Sequence, residues 1–206
     1  MDKKLIFATI LILSCAQPGS DYYPLFTGAE RIYEVERITI LGNDTIQSRT
    51  KQKTKIETRR FHDYWGEIWE VTTKELGSLP VNAFVRKSRN ELLLILNLND
   101  TLNVFKQFNF PLEVGKMWIV AKLPNDTFVG KVINLESIEV PVGRFDSCYK
   151  VEIKTKRADF NRNVWLAPNI GIVKNEIEAS SFQDKIKKVT IEKSVLIQYN
   201  TKPTKG

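Results

Sequence analysis

From residue 21 onward the chain returns repeatedly to short runs of β-branched and aromatic residues. Inside them apolar and polar positions alternate, as in Cys148-Tyr149-Lys150-Val151-Glu152-Ile153. A repeat of two is that of a strand with one face buried, and long stretches of helical period are hard to find. The clearest runs are Arg31–Ile40, Thr50–Phe61, Glu67–Thr73, Glu91–Leu96, Leu102–Phe108, Met117–Leu123, Thr127–Glu139, Cys148–Lys156, Gly171–Ala179 and Val189–Tyr199, and Trp165 sits in a further strand. Many of the intervening turns are only a few residues long. That suits antiparallel hairpins and leaves no room for the helical crossovers of parallel pairs. The expectation is an all-β fold built on a single antiparallel sheet. No stretch rich in Pro, Gly and Ser divides it, so residues 21–206 read as one domain. The run "ELLLILNL" from Glu91 is apolar at consecutive positions, which fits a strand buried on both faces or one lining a hollow.

Three turns share the tripeptide Asn-Asp-Thr, beginning at Asn43, Asn99 and Asn125. Asn and Asp tolerate left-handed backbone and bond to their own main chain, and Thr then opens a strand, so hairpin chemistry accounts for all three. Asp-Thr followed by an apolar residue also resembles the O-glycosylation signal of Bacteroidota, which would make Thr45 and Thr101 acceptors; that reading depends on the organism. A second regularity is the pair "YPLFTGAERIY" from Tyr23 and "FPLEVGKMWIV" from Phe110, 87 residues apart. In each, Pro keeps the chain extended, Leu enters the core and Gly turns into a strand. Chance similarity explains the pair as well as duplication does; a true repeat would mean two similar half-sheets.

The amino terminus has a different pattern. Lys3 and Lys4 precede an apolar stretch from Leu5 to Leu13, broken only by Thr9. This is the layout of an export signal, and a stretch of nine residues falls well short of the roughly 20 that a transmembrane helix needs. Ser14 then precedes Cys15, with Ile12 three positions before it. That arrangement resembles a bacterial lipobox, which implies cleavage after residue 14 and a diacylglycerol on the Cys15 sulfur. Two or more acyl chains hold a protein to a membrane durably where one does not. Residues 15–20 then form the lipidated cysteine and a short tether, at most ~18 Å long when extended. By analogy with enteric bacteria, Ala16 after the cysteine permits sorting to the outer membrane, and the periplasmic face is the expected location.

Three further blocks carry a family resemblance. "YYPLFTGAERIYEV", "VPVGRFDSCYKVEI" and "VWLAPNIGIVKNEIE" contain Tyr22, Pro24, Leu25 and Gly28; Gly143, Phe145, Cys148, Tyr149 and Val151; and Trp165, Ala167, Pro168, Gly171, Val173 and Lys174. These resemble a broad group of poorly characterised bacterial lipoproteins and exported proteins, with the motifs Y-x-P-L-x-x-G, G-x-F-x-x-C-Y-x-V and W-x-A-P-x-x-G-x-V-K. The resemblance implies an exported antiparallel sheet, strongly curved into an open half-barrel or barrel-like form similar to the Lol-type lipoprotein carriers. It implies no particular reaction.

Composition narrows the chemistry. The formal net charge is +7 over the whole chain, one unit less without the leader. A basic balance favours anionic neighbours such as lipid headgroups or acidic glycans, and export argues against nucleic acid. "KQKTKIETRR" places Lys51, Lys53, Lys55 and Arg59 on one strand face, either as a solvated edge-protecting row or as a contact for anionic lipid or glycan. With Cys15 lipidated, Cys148 has no intrachain partner and reads as a small buried hydrophobe. His62 is the only histidine, so a multi-histidine zinc site is excluded, and no nucleophile elbow, phosphate loop or dinucleotide fingerprint is present. Glu67, Glu70, Glu136 and Glu139 could pair only by folding. No metal, no cofactor and no catalysis are expected. Trp118, Trp165 and Tyr149 are candidates to line a ligand cavity, with core packing as their ordinary role. The functional expectation is a lipid-anchored envelope protein of binding or carrier type for an apolar ligand or lipidated partner. The alternative is a structural scaffold docking to other envelope proteins.

Overall fold

The computed structural model describes residues 21–102, 104–124, 126–157, 159–183 and 185–200. Among them every regular element is a strand: β1 (Glu30–Leu41), β2 (Asp44–His62), β3 (Gly66–Glu75), β4 (Val81–Lys87), β5 (Glu91–Ile95), β6 (Val104–Asn109), β7 (Met117–Leu123), β8 (Asp126–Val140), β9 (Gly143–Thr155), β10 (Phe160–Ala167), β11 (Gly171–Gln183) and β12 (Ile186–Asn200). They form one twelve-stranded antiparallel sheet in the order β6-β5-β4-β3-β2-β1-β12-β11-β10-β9-β8-β7, curved into a nearly closed barrel. β4 escapes the sequence pattern because it is short, follows Pro80 and mixes Asn82 with the basic Arg86 and Lys87.

The order contains two six-strand meanders, β1–β6 and β7–β12, joined where β1 pairs with β12 from Glu30↔Asn200 to Leu41↔Lys188. The sequence echo belongs to this division. Gly28 N donates to Ile56 O at 2.7 Å and Ile56 N to Ala29 O at 2.9 Å, locking the first lead-in to β2. In the second half Gly115 N donates to Val132 O and Val132 N to Lys116 O, both at 2.9 Å, locking the second lead-in to β8. Gly28 and Gly115 both adopt left-handed backbone, at φ 82° and 90°, which explains why glycine stands at each. The echo is therefore a structural repeat.

A repeat of this kind has two junctions, and they differ. Where β1 meets β12 a full ladder forms. Where β6 comes round to β7 the strands are only six and seven residues long and share no ladder. Trp118 Nε1 bridges that gap, donating to Lys106 O at 2.9 Å.

Two of the three expected turns are present among the described residues. Gly42 and Asn43 form the two-residue turn of the β1–β2 hairpin. In the β5–β6 loop Asn97 and Asp100 accept from main-chain N–H groups two residues on, at 3.0 and 2.9 Å, the Asx-turn chemistry read from composition. Asn125 lies outside the described residues, and Asp126 begins β8.

Three buried clusters stabilise the sheet. Val164 and Leu166 of β10 point into the main cluster with Val132, Val151 and Phe108. Trp165 and Ala167, alternating with them, point into a second with Tyr33, Val173 and Leu196, packed by Ile138 and Phe145 from the end of the β8–β9 hairpin. A third gathers Trp65, Ile68 and Ile95. β10 is therefore buried on both faces.

Cys148 belongs to the second cluster and is fully buried, its Sγ 3.4 Å from Phe145 O. Burial, assisted by the nearby charge of Asp146, pushes its thiol up to about 12. The folded protein holds this proton above the ordinary thiol value of about 8.5. Its contribution to stability is full below that pH and is lost as pH rises toward 12. The Cys148 peptide is expected to resist iodoacetamide at pH 8.5 in the native protein and to alkylate readily in denaturant, followed by mass spectrometry. Equal rates in the two states would contradict this burial.

Candidate ligand cavity

Alternation along a barrel strand sends every second side chain inward, and twelve strands enclose more space than inward side chains can readily fill. Among the described residues, two adjoining cavities lie on this inward side. The first, about 240 Å³, is lined by pairs two residues apart on successive strands: Arg31 and Tyr33, Gln52 and Thr54, Val71 and Thr73, Ala83 and Val85, Leu92 and Leu94. Gln107, Phe108, Arg162, Ile172, Asn175 and Ser194 complete it with Tyr23. The second, about 280 Å³, is walled by Leu94, Leu96, Phe105, Val120, Phe128, Ile153 and Phe160, with Gln107 and Arg162 at its edge. It lies where β6 and β7 face each other without a ladder. Leu94, Gln107 and Arg162 border both cavities. The two adjoining cavities make up the hollow of the barrel, the first carrying the polar groups among apolar ones and the second almost wholly apolar.

Its charges are unusual. Arg31 is buried, and its Nε and Nη2 donate to the carbonyls of Ile170 at 2.8 Å and Pro24 at 3.1 Å. Arg162 donates through Nε to Asn175 Oδ1 at 2.6 Å and through Nη1 to Gln107 Oε1 at 3.0 Å. All four acceptors are neutral. Loss of water around the Arg162 guanidinium pushes its pKa below the ordinary arginine value, because desolvation disfavours the charged form. Tyr33 is shifted upward for the same first reason, and its hydroxyl donates to Ile172 O at 3.0 Å. In contrast, Arg37, further along the inward row of β1, is neutralised: its Nη1 lies 3.2 Å from Glu75 Oε1 and its Nη2 2.7 Å from Glu192 Oε2.

A protein of Parabacteroides distasonis, provisionally described as a lipoprotein, matches 88% of this chain and 99% of its own at 14% identity and a TM-score of 0.46. No protein-family model matches the chain. No curated protein matches it either.

None of the three aromatic candidates is among the residues lining these two cavities. Trp118 closes the β6–β7 gap, Trp165 packs in the second cluster, and Tyr149 meets Tyr22 edge-on in the main core at 4.9 Å. Arg31, Arg162, Gln107 and Asn175 carry the polar side and escaped the sequence reading. The available signal was phase: Arg162 is in step with Phe160, Val164 and Leu166, and Arg31 with Tyr33 and Val35.

The basic row on β2 needs a correction. Gln52 and Thr54 line the hollow, so Lys51, Lys53 and Lys55 point outward. A β-bulge between Ile56 and Thr58 then inverts the phase, and Arg59 pairs opposite Trp69, on the inward side with Val71. Arg59 therefore leaves the lysine face; it meets Glu67 and lies 5.7 Å from the Trp69 ring centroid. Lys53 sits 2.7 Å from Glu30 and Lys55 2.5 Å from Glu57, so the outward row is largely paired. Such pairs suit a water-facing surface.

His62 accepts from the N–H groups of Tyr64 and Trp65 at 3.3 and 3.4 Å, closing the β2–β3 turn. Glu136 Oε1 accepts from Trp165 Nε1 at 2.5 Å and Glu67 meets Arg59, so these two carboxylates hold structure in different halves of the barrel. Among the described residues no group of His, Cys, Asp and Glu could hold a metal ion. Thr45 and Thr101 are both exposed, at the start of β2 and in the β5–β6 loop. Cys15 and the tether lie outside the described residues. The first described residue, Asp21, exchanges hydrogen bonds with Asn169 at 3.1 and 2.7 Å, and its carboxylate is held by Lys87 at 2.5 Å.

Proposed function

We propose that this chain is a binding protein of carrier type that holds the apolar part of a lipid or of a lipidated partner inside its barrel. The observation that carries the reading is the unfilled apolar side of the hollow. Inward residues of six strands surround about 280 Å³ there with Leu, Phe, Val and Ile. Together the two cavities reach the lower part of the range for small-molecule sites, roughly 300–1,000 Å³. An unfilled hydrophobic space forgoes dispersion contacts that an acyl chain would restore. Lipidation at Cys15 would hold the barrel at the periplasmic face of the outer membrane, within reach of such ligands. The anchoring of Asp21 at the β10–β11 turn would turn that end toward the membrane.

The neutral dye N-phenyl-1-naphthylamine tests this reading. The full chain carrying Cys15→Ser, purified without detergent, is expected to enhance its fluorescence saturably at one site per barrel. Ile153→Trp, which fills the apolar side, is expected to abolish that site. Absence of saturable binding by the folded protein, with a stoichiometric envelope protein recovered instead, would replace the carrier reading with a scaffold role.

A further inference from the structure

The hollow also discriminates between ligands. Burying a guanidinium is costly unless a counter-charge or a full set of acceptors compensates it. At Arg37 this barrel supplies two carboxylates. At Arg31, which is buried and lies 5.8 Å from the Tyr23 ring centroid, and at Arg162, which is half-buried, the hydrogen-bond acceptors are only amide and carbonyl oxygens, and neither has an ion-pair partner among the described residues. A guanidinium has five N–H donors, and the hydrogen bonds of Arg162 engage Nε and Nη1, leaving Nη2 uncommitted beside the hollow. Glu192, a carboxylate whose charge reaches it, is already held by Arg37. Arg162 stands where the polar and apolar sides join, since it borders both cavities.

From this juxtaposition we infer that the ligand is an anionic amphiphile with one acyl chain, its head accepted by Arg162 within the polar cavity and its chain laid along the apolar one. Arg31 adds positive charge to the same cavity, and Thr54, Thr73 and Ser194 offer hydroxyl groups to the remaining head-group oxygens. Gln107 and Asn175 hold the guanidinium plane so that its free edge meets the head, which favours charge-assisted bonding. A carboxylate and a phosphate monoester share this chemistry.

The inference rests on the carrier reading, and the test separates the two. Displacement of the neutral dye from the Cys15→Ser full chain is measured with three ligands of equal chain length: tetradecanol, myristate and 1-myristoyl lysophosphatidate. Binding of tetradecanol alone sustains the apolar cavity. At least one of the two anions is expected to bind about 10-fold tighter or more, and which one does so identifies the head. Arg162→Met is expected to remove that preference while leaving tetradecanol within about threefold of wild type. Arg162→Lys keeps the charge, is expected to retain part of the preference, and serves if the methionine variant fails to fold. Equal affinity for all three ligands, or a preference that persists without Arg162, would overturn the assignment and leave the carrier reading standing. Failure of all three to displace or bind would overturn both.

Discussion

Trp165→Ala is expected to cost the fold about 3–5 kcal/mol, the range for deleting a large buried aromatic. Trp165 is only 4% exposed, and its ring lies between two ammonium groups, with Lys150 Nζ 5.0 Å and Lys174 Nζ 4.5 Å from ring centroids. The indole N–H also satisfies Glu136. Alanine would remove the packing, the surface over which both cations rest and the donor to a carboxylate at once. With total stabilities of about 5–15 kcal/mol for such domains, the variant would sit close to the folding threshold. Urea titration should show a large fall in midpoint with little change in slope. Trp165→Phe, which keeps a ring and loses the N–H, should fall between alanine and wild type. An alanine variant within about 1 kcal/mol of wild type would mean that the second cluster tolerates the cavity and that this packing account is wrong.

The second large effect is at Gly130 in β8. This glycine is not among those in left-handed backbone, so its reason is space. A Cβ placed there would fall 2.5 Å from Trp118 Cε2 and 2.6 Å from Cζ2. The indole cannot yield freely, because its N–H holds Lys106 O across the β6–β7 gap. Gly130→Ala is therefore expected to destabilise by about 1–3 kcal/mol, the usual penalty of overpacking. It should also raise hydrogen exchange at β6 and β7 above that elsewhere in the barrel. Combining Gly130→Ala with Trp118→Leu removes the clash, so the double variant should lose less than the two single losses added together. Strict additivity would show that the glycine and the indole do not compete for the same space.

The fold was legible because the strands are long, alternate regularly and are separated by turns with specific chemistry. Asn43 and Gly42 mark one hairpin, and Asn169 and Gly171, both with positive φ, mark another. β4 was hidden by its short inward row of Ala83 and Val85. The site was less legible. Whether a hydrophobic strand fills a core or walls a hollow depends on how strands curve and close, which no single strand records. The run at Leu92–Leu96 does both: Leu93 and Ile95 are buried, Ile95 in the third cluster, while Leu92, Leu94 and Leu96 border the cavities. Aromatic size drew attention to Trp118, Trp165 and Tyr149, whereas the telling residues were polar ones in phase with apolar rows. Arg59 shows the complementary difficulty. One extra residue in β2 turned it to the other face, and nothing in the spacing of basic residues signals a bulge.

The join between β1 and β12 also bears on how the barrel assembles as the chain folds. The first meander can form as soon as its own strands are available, since its hairpins are local. One flank of β1, however, waits for β12, the last strand described, and until then its twelve residues present unpaired N–H and C=O groups. Pairing between strands so far apart in sequence is slow, and a long bare edge invites the wrong neighbour. Charged Glu34, Glu36 and Arg37 interrupt that edge. They act as gatekeepers for a half-made barrel before they serve the finished one.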